Sequence, residues 1–359
     1  MEKKYKLTEE TINVNGKTLY RIEALMDFGD VKKGDKGGFI EKECNLSQSG
    51  DCWVYGNAQI YDDAMVYGNA KVYANAKVYD NAKVFENADV YGNARIFDNV
   101  KIYGYAKVFI NANIYGNAQV YNNAKVFGNA EVRGNAHVYD DAEVYGNAEV
   151  YGYTMVYGDA EVCDNAKICD YAEVYGKAEV YGNAKIYHNA EVYGKALVYG
   201  YAQVYGDAVV YGNARVYGYA RVYDYAEVYD KAWVYGNAEV FNNAQVYCNA
   251  LVIDNARVYS NAKVCDNAMV RGKANVYSHA EVCGNAEITT DSDYIVFKNW
   301  WSSGRGCTWT KSNNMWKVGF FYGTGEELIE EAYKDSEKTG EEYEKFVKYV
   351  ESINRNDSI

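Results

Sequence analysis

The chain has 359 residues, 40 of them Tyr and 32 Gly, and no Pro. An ordinary globular chain carries about 5% Pro, so one strict template must fill most of this one. The net charge of −13 favours solubility and argues against a nucleic-acid partner, and no apolar run approaches the roughly 18 residues of a membrane span.

In chain order, residues 1 to 53 read as an N-terminal cap. The opening MEKKYKLTEE is polar and charged, without the apolar core of a signal peptide, so a cytoplasmic setting is expected. In TINVNGKTLYRIEAL, Asn15-Gly16 separates two alternating apolar arms, a strong hairpin signal.

Residues 54 to 288 repeat a unit of six, V-Y-G-N-A-x. From Val54 to Ile288 every sixth residue is Val or Ile, 40 in succession. Four residues after each comes a small residue, from Ala58 to Ala286; of these 39 positions 37 are Ala, and the others are Val100 and Thr154. The register never slips, so no insertion interrupts the array. Within A-x-V-Y the side chains alternate, Ala and Val to one side and x and Tyr to the other. Gly-Asn then breaks the strand, because both residues tolerate positive φ at a sharp corner. A strand and a corner every six residues coil the chain, with parallel strands about 4.8 Å apart. Departures from the consensus recur 18 residues apart: Tyr153 and Tyr171, Lys177 and Lys195, Tyr201 and Tyr219, Cys265 and Cys283. Three units per coil are therefore expected, about 13 triangular coils in a rod near 60 Å long, with Val and Ala inside and Tyr outside. The exposed strand edges at its ends need caps.

Residues 289 to 359 supply the second cap, small and α+β. DYIVFKNWWSSGRGCTWTKSNNMWKVGFFYG reads as short strands. Thr324 with Glu327 and Thr339 with Glu342 are capping boxes that open two helices. In the second, Tyr343, Phe346, Val347, Val350 and Ile353 form one apolar stripe that must dock on something. Eight scattered Cys without a C-x-x-C read as reduced packing residues, neither a metal site nor a disulfide frame.

These slots resemble the hexapeptide pattern of left-handed parallel β-helices, an aliphatic residue followed four later by a small one. The expected fold is thus an all-β solenoid of that class, its handedness taken from the resemblance. Many members of that superfamily are trimeric acyltransferases that use acyl-CoA or acyl carrier protein. The lead-in DFGDVKKGDKGGFIEKECNLSQSGDCWVYGNA, Asp27 to Ala58, resembles YdcK-like bacterial and phage proteins.

Chemistry is harder to place. Catalytic members of the superfamily use a His on a coil facing a cleft between subunits. Here His137 occupies an outward x slot, with Gln119 and Met155 one coil away and Glu173 and Glu191 farther along the same face, while His188 and His279 sit at corners. No carboxylate stands where it would orient any of them, and filling a tolerated outer slot explains each. The x slot carries seven basic residues between Gln59 and Lys125 (Lys71, Lys77, Lys83, Arg95, Lys101, Lys107, Lys125), and seven Glu between Glu131 and Glu191. Farther on Leu197, Trp233, Leu251 and Met269 fall on one face. These blocks read either as a partner surface, including one for an antiparallel or staggered copy, or as solubilising charge left by repeat duplication. The Tyr columns read mainly as stabilising ladders. In the cap, Trp300, Trp301, Arg305 and Trp309 are either a recognition surface or a small core.

The residues favour a non-catalytic binding or scaffold protein without a cofactor or metal, meeting a protein partner or another copy. The resemblance adds a phage-borne setting with a host factor as target. The alternative it implies is a homotrimeric acyltransferase using acetyl-CoA or another acyl-CoA, with His137 as its base.

Overall fold

The hexapeptide folds as a two-residue strand followed by a corner. In the computed structural model, which describes residues 3–301 and 304–356, the chain falls into two compact units, Met1–Gly200 and Tyr201–Ile359. Both are β-solenoids. In the first, Gln59 pairs with Lys77 and Lys77 with Arg95; in the second, Gln203 pairs with Arg221 and Arg221 with Glu239. One coil is therefore 18 residues, and within each unit the two-residue coil strands lie parallel to those 18 residues on.

The slot chemistry explains the coil. Val and Ala sit inside with no solvent exposure, as at Val72, Ala76, Val222 and Ala226. Full burial of a Val stabilises by about 1.5–3 kcal/mol. Regular pairing is confined to x and Val, shorter than A-x-V-Y, because the corner turns directly after Tyr. There the residue two past Val takes a left-handed backbone, with φ 72° at Gly92 and 59° at Asp98, which is why Gly, Asp and Asn fill this slot. Asp adds a bond that Gly lacks: the amide of Gly116, one coil on, donates to the Asp98 carboxylate at 2.9 Å. At the next position Asn side chains form a ladder, Asn75 to Asn93 to Asn111 to Asn129, each link 3.1–3.3 Å.

In the first unit the hairpin forms as expected, β1 (Tyr5–Val14) against β2 (Lys17–Ala24), with Asn15 and Gly16 both at positive φ. β3 (Lys36–Ile40) is antiparallel to β2 and parallel to Gln59–Ile60, so it is the first rung of one face. It can approach so closely because Gly37 and Gly38 lack side chains: a Cβ on Gly38 would stand 2.6 Å from the Ala58 carbonyl oxygen.

In the second unit four antiparallel strands follow the coils, Tyr294–Lys298, Gly306–Thr310, Met315–Val318 and Phe321–Gly323. Helices α1 (Gly325–Asp335) and α2 (Glu337–Asn356) come last. Side chains here stand in for a missing coil. The amides of Asn275, Glu281, Glu287 and Thr289 donate to Asp291, Thr308, Ser312 and Asp293 at 2.7–2.9 Å. The Tyr277 amide donates to the Tyr294 hydroxyl at 3.3 Å. An edge that would otherwise template another strand is thereby closed.

Two expectations need correction. α2 opens three residues before the expected capping box: the Thr339 amide donates to Ser336 Oγ at 3.2 Å, so Ser336 is the cap. The cysteines are not all reduced either, because Cys265 and Cys283 form a disulfide. They occupy adjacent rungs of one outer column, their Cα atoms 4.7 Å apart, within bridging range. The other six are free. α1 opens on the expected Thr324–Glu327 box.

Candidate functional site

His137 stands on the strand His137–Val138, paired with Gln119 on one side and Met155 on the other. Its backbone amide donates to the Thr154 carbonyl at 2.9 Å, and its ring meets Tyr121 edge-on at 6.1 Å. Burial pushes its pKa below the ordinary His value, so the imidazole is neutral near pH 7. The carboxylates on this face are engaged elsewhere. Glu173, two rungs away, accepts from the Tyr157 hydroxyl at 3.0 Å, and Glu191 from Tyr175 at 2.9 Å. Among the described residues no carboxylate orients the imidazole. His188 lies at an exposed corner, its Nε2 4.0 Å from Asp170.

His279 lies in a more singular place. It lines a cavity of about 500 Å³ with Tyr277, Ser278, Tyr294, Phe297 and Lys298. Its backbone carbonyl would be 3.0 Å from a Cβ at position 306, which keeps Gly306 bare. Asp291 also lines this cavity, but both its oxygens take bonds from the Asn275 side-chain amide at 3.1 and 3.2 Å. The cavity can hold a polar ligand against aromatic walls, without a carboxylate–histidine pair. Nothing in the hexapeptide signals it, since its walls come from the last coil and a cap strand.

The four expected cap residues divide into two pairs. Trp309 is buried, paired across strands with Trp316, and its indole donates to Asn314 at 2.9 Å. Trp301 packs on Tyr343 and Phe346. Both belong to the core that receives the α2 stripe through Tyr343, Val347 and Val350. Trp300 is 68% exposed, and Arg305 is exposed beside it on one loop. Backbone bonds close that loop, Asn299 N to Arg305 O at 2.9 Å and Gly304 N to Asn299 O at 2.8 Å. The Arg305 guanidinium would stand 3.1 Å from a Cβ on Gly319. Next to Gly319 is Phe320, wholly exposed at the tip of a turn. Arg305 also lines a cleft of about 510 Å³ with Glu331, Asp335 and Tyr343. Arg305 thus adjoins the turn that carries Phe320, while the cation set over the Trp300 ring is Lys338, 5.9 Å from its centroid. Phe320 was missed from sequence: it falls in a run of aromatics whose inward and outward members carry no distinguishing period.

Trp233, Leu251 and Met269 are consecutive rungs of one ladder in the second unit, and Arg215 lies over the Trp233 ring at 4.9 Å. Leu197 belongs to the first unit and pairs with Glu179. The outer aromatic columns are flat stacks: Tyr121, Tyr139, Tyr157, Tyr175 and Tyr193 follow one another at 4.7–4.9 Å with planes within 9°. Among the described residues one group has metal-ligand spacing, Cys265, Asp266 and Cys283, and its two sulfurs are joined to each other. No helix among those residues is long and apolar enough to cross a membrane.

Comparison with known proteins places these coils. A family model described as YdcK Beta solenoid repeat matches residues 58–74, 202–218 and 208–224. A curated protein of Escherichia coli (strain K12), "Uncharacterized acetyltransferase YdcK", is 49% identical over 37 residues. That stretch is 10% of this chain and 11% of the relative, so the chain spans about a tenth of the length of the curated protein it matches.

Proposed function

We propose that this chain is a non-catalytic binding protein, a β-solenoid scaffold that meets a protein partner through its C-terminal cap. The observation that carries the reading is the exposure of Phe320 and Trp300 on loops adjoining Arg305. A cap that already buries Trp309, Trp316 and Tyr343 gains nothing in stability by holding two more large aromatics in water. Trp and Arg dominate binding hot spots, and the cleft beside Arg305 offers an adjoining recess. The coils act as the rigid support.

The test compares wild type with the triple variant Trp300→Ala, Arg305→Ala, Phe320→Ala as immobilised bait in a lysate of the producing cells. Partner capture is expected to fall at least about tenfold, since losing one hot-spot anchor alone costs ~2 kcal/mol or more. The coil circular dichroism signal should stay unchanged. Full capture by the triple variant would refute the assignment.

The relative's printed name supports a second reading, an acetyltransferase with His137 as base. Against it stands the lack, among the described residues, of a carboxylate orienting His137, the nearest ones being held by Tyr157 and Tyr175.

A further inference from the structure

One face of the first unit is self-complementary when its direction is reversed. Its outward column holds one residue per coil and is centred on His137. Gln119 and Met155 are its neighbours, Lys101 and Glu173 come next, and Lys83 and Glu191 lie beyond. Turning the column end for end about His137 lays Lys101 on Glu173 and Lys83 on Glu191. The second face also pairs opposite charges when reversed about Asn113, Arg95 on Glu131 and Lys77 on Glu149, but Glu149 is already bound within the chain by Arg133 and Lys167. Reversal about Glu131 on the second sets Arg95 against Lys167 and Lys77 against Lys185. Reversal about Lys125 on the third sets Asp89 against Glu161.

We propose that this face is the contact of an antiparallel homodimer, two copies packed face to face about a twofold axis at His137. An axis along the strand direction brings the charged column onto itself and the adjacent Tyr column onto itself. An isologous contact requires this reciprocity, residue i meeting j while j meets i.

Within the single chain the charges of this column have like-charged neighbours and no ion pair among the described residues. Lys83 and Lys101 lie directly opposite each other in the ladder, as do Glu173 and Glu191, and like charges so placed are destabilising. Neither lysine forms an ion pair among the described residues, whereas Lys125 on another face pairs with Glu143. The two glutamates are already oriented by tyrosine hydroxyls. A second copy turns the like-charged neighbours into four interchain ion pairs, two of Lys83 with Glu191 and two of Lys101 with Glu173. These spread over six coil steps, about 29 Å. Between them the column is uncharged, and the flat stack of Tyr121, Tyr139, Tyr157 and Tyr175 supplies the aromatic surface that interface centres favour.

Sedimentation velocity on the full chain tests this with two charge-reversed variants, Lys83→Glu with Lys101→Glu, and Glu173→Lys with Glu191→Lys. Wild type is expected as a dimer and each variant alone as a monomer. An equimolar mixture should return to a dimer, because opposite charges again face each other. That recovery also shows both variants folded. A monomeric or trimeric wild type, variants that remain dimeric, or a mixture that stays monomeric each overturns the proposal. The cap variants of the preceding section leave this face untouched, so the two readings fail separately.

Discussion

Thr154 is the one hydroxyl in the small-residue slot, where 37 of 39 positions are Ala. It is fully buried, and its Oγ1 has no hydrogen-bond partner among the described residues. A buried unsatisfied hydroxyl costs about 1–3 kcal/mol, while Ala is the residue this interior is shaped for. Thr154→Ala should therefore stabilise the protein by ~1 kcal/mol, read as a higher urea midpoint. A lower midpoint would mean that the hydroxyl is satisfied. The slot was legible from sequence as interior, because Val and Ala recur with one period. The surroundings of His137 were legible in part: an 18-residue coil gives Gln119 and Met155 as neighbours, and the structure places them there. The engagement of Glu173 by Tyr157 was not, because it depends on side-chain direction between coils.

The elements that close the second unit work by imitation. Asp291, Tyr294, Thr308 and Ser312 supply acceptors where a further coil would have supplied carbonyls. The Tyr294 hydroxyl does so twice over, accepting from the Tyr277 amide and donating to the Asn275 carbonyl at 3.0 Å. Tyr294→Phe should cost ~1–3 kcal/mol locally, seen as faster hydrogen exchange at the Tyr277 amide. Unchanged exchange would contradict this capping role. A sequence could announce that an end needs a cap, but not which residues provide it, since these acceptors lie 16 to 27 residues from their donors with no repeat to follow. The start of α2 was misplaced for a related reason. Thr339 with Glu342 matches the full box, whereas Ser336 caps with its hydroxyl alone. The Trp-rich strands alternate, so Trp309 turned inward, and the loop residues Trp300 and Phe320 are the most exposed aromatics of the cap among the described residues.

For the whole molecule, the period of six carried the fold and left the function open, because a uniform coil looks alike with or without a site on it. The signs of function lie where uniformity ends: at the cap loops, in the cavity at His279, and in the reversal of charge along one face of the first unit. The central claim is that the cap loops and the charged face are contact surfaces and that His137 is not an acyl-transfer base. Calorimetric titration of the purified full chain with acetyl-CoA, followed by assay of acetyl-CoA breakdown with and without Lys-containing peptides from a digest of the producing cells, tests it most directly. The account predicts no saturable heat and no turnover. Saturable binding near one site per chain, with turnover abolished by His137→Ala, would contradict it and establish the enzyme.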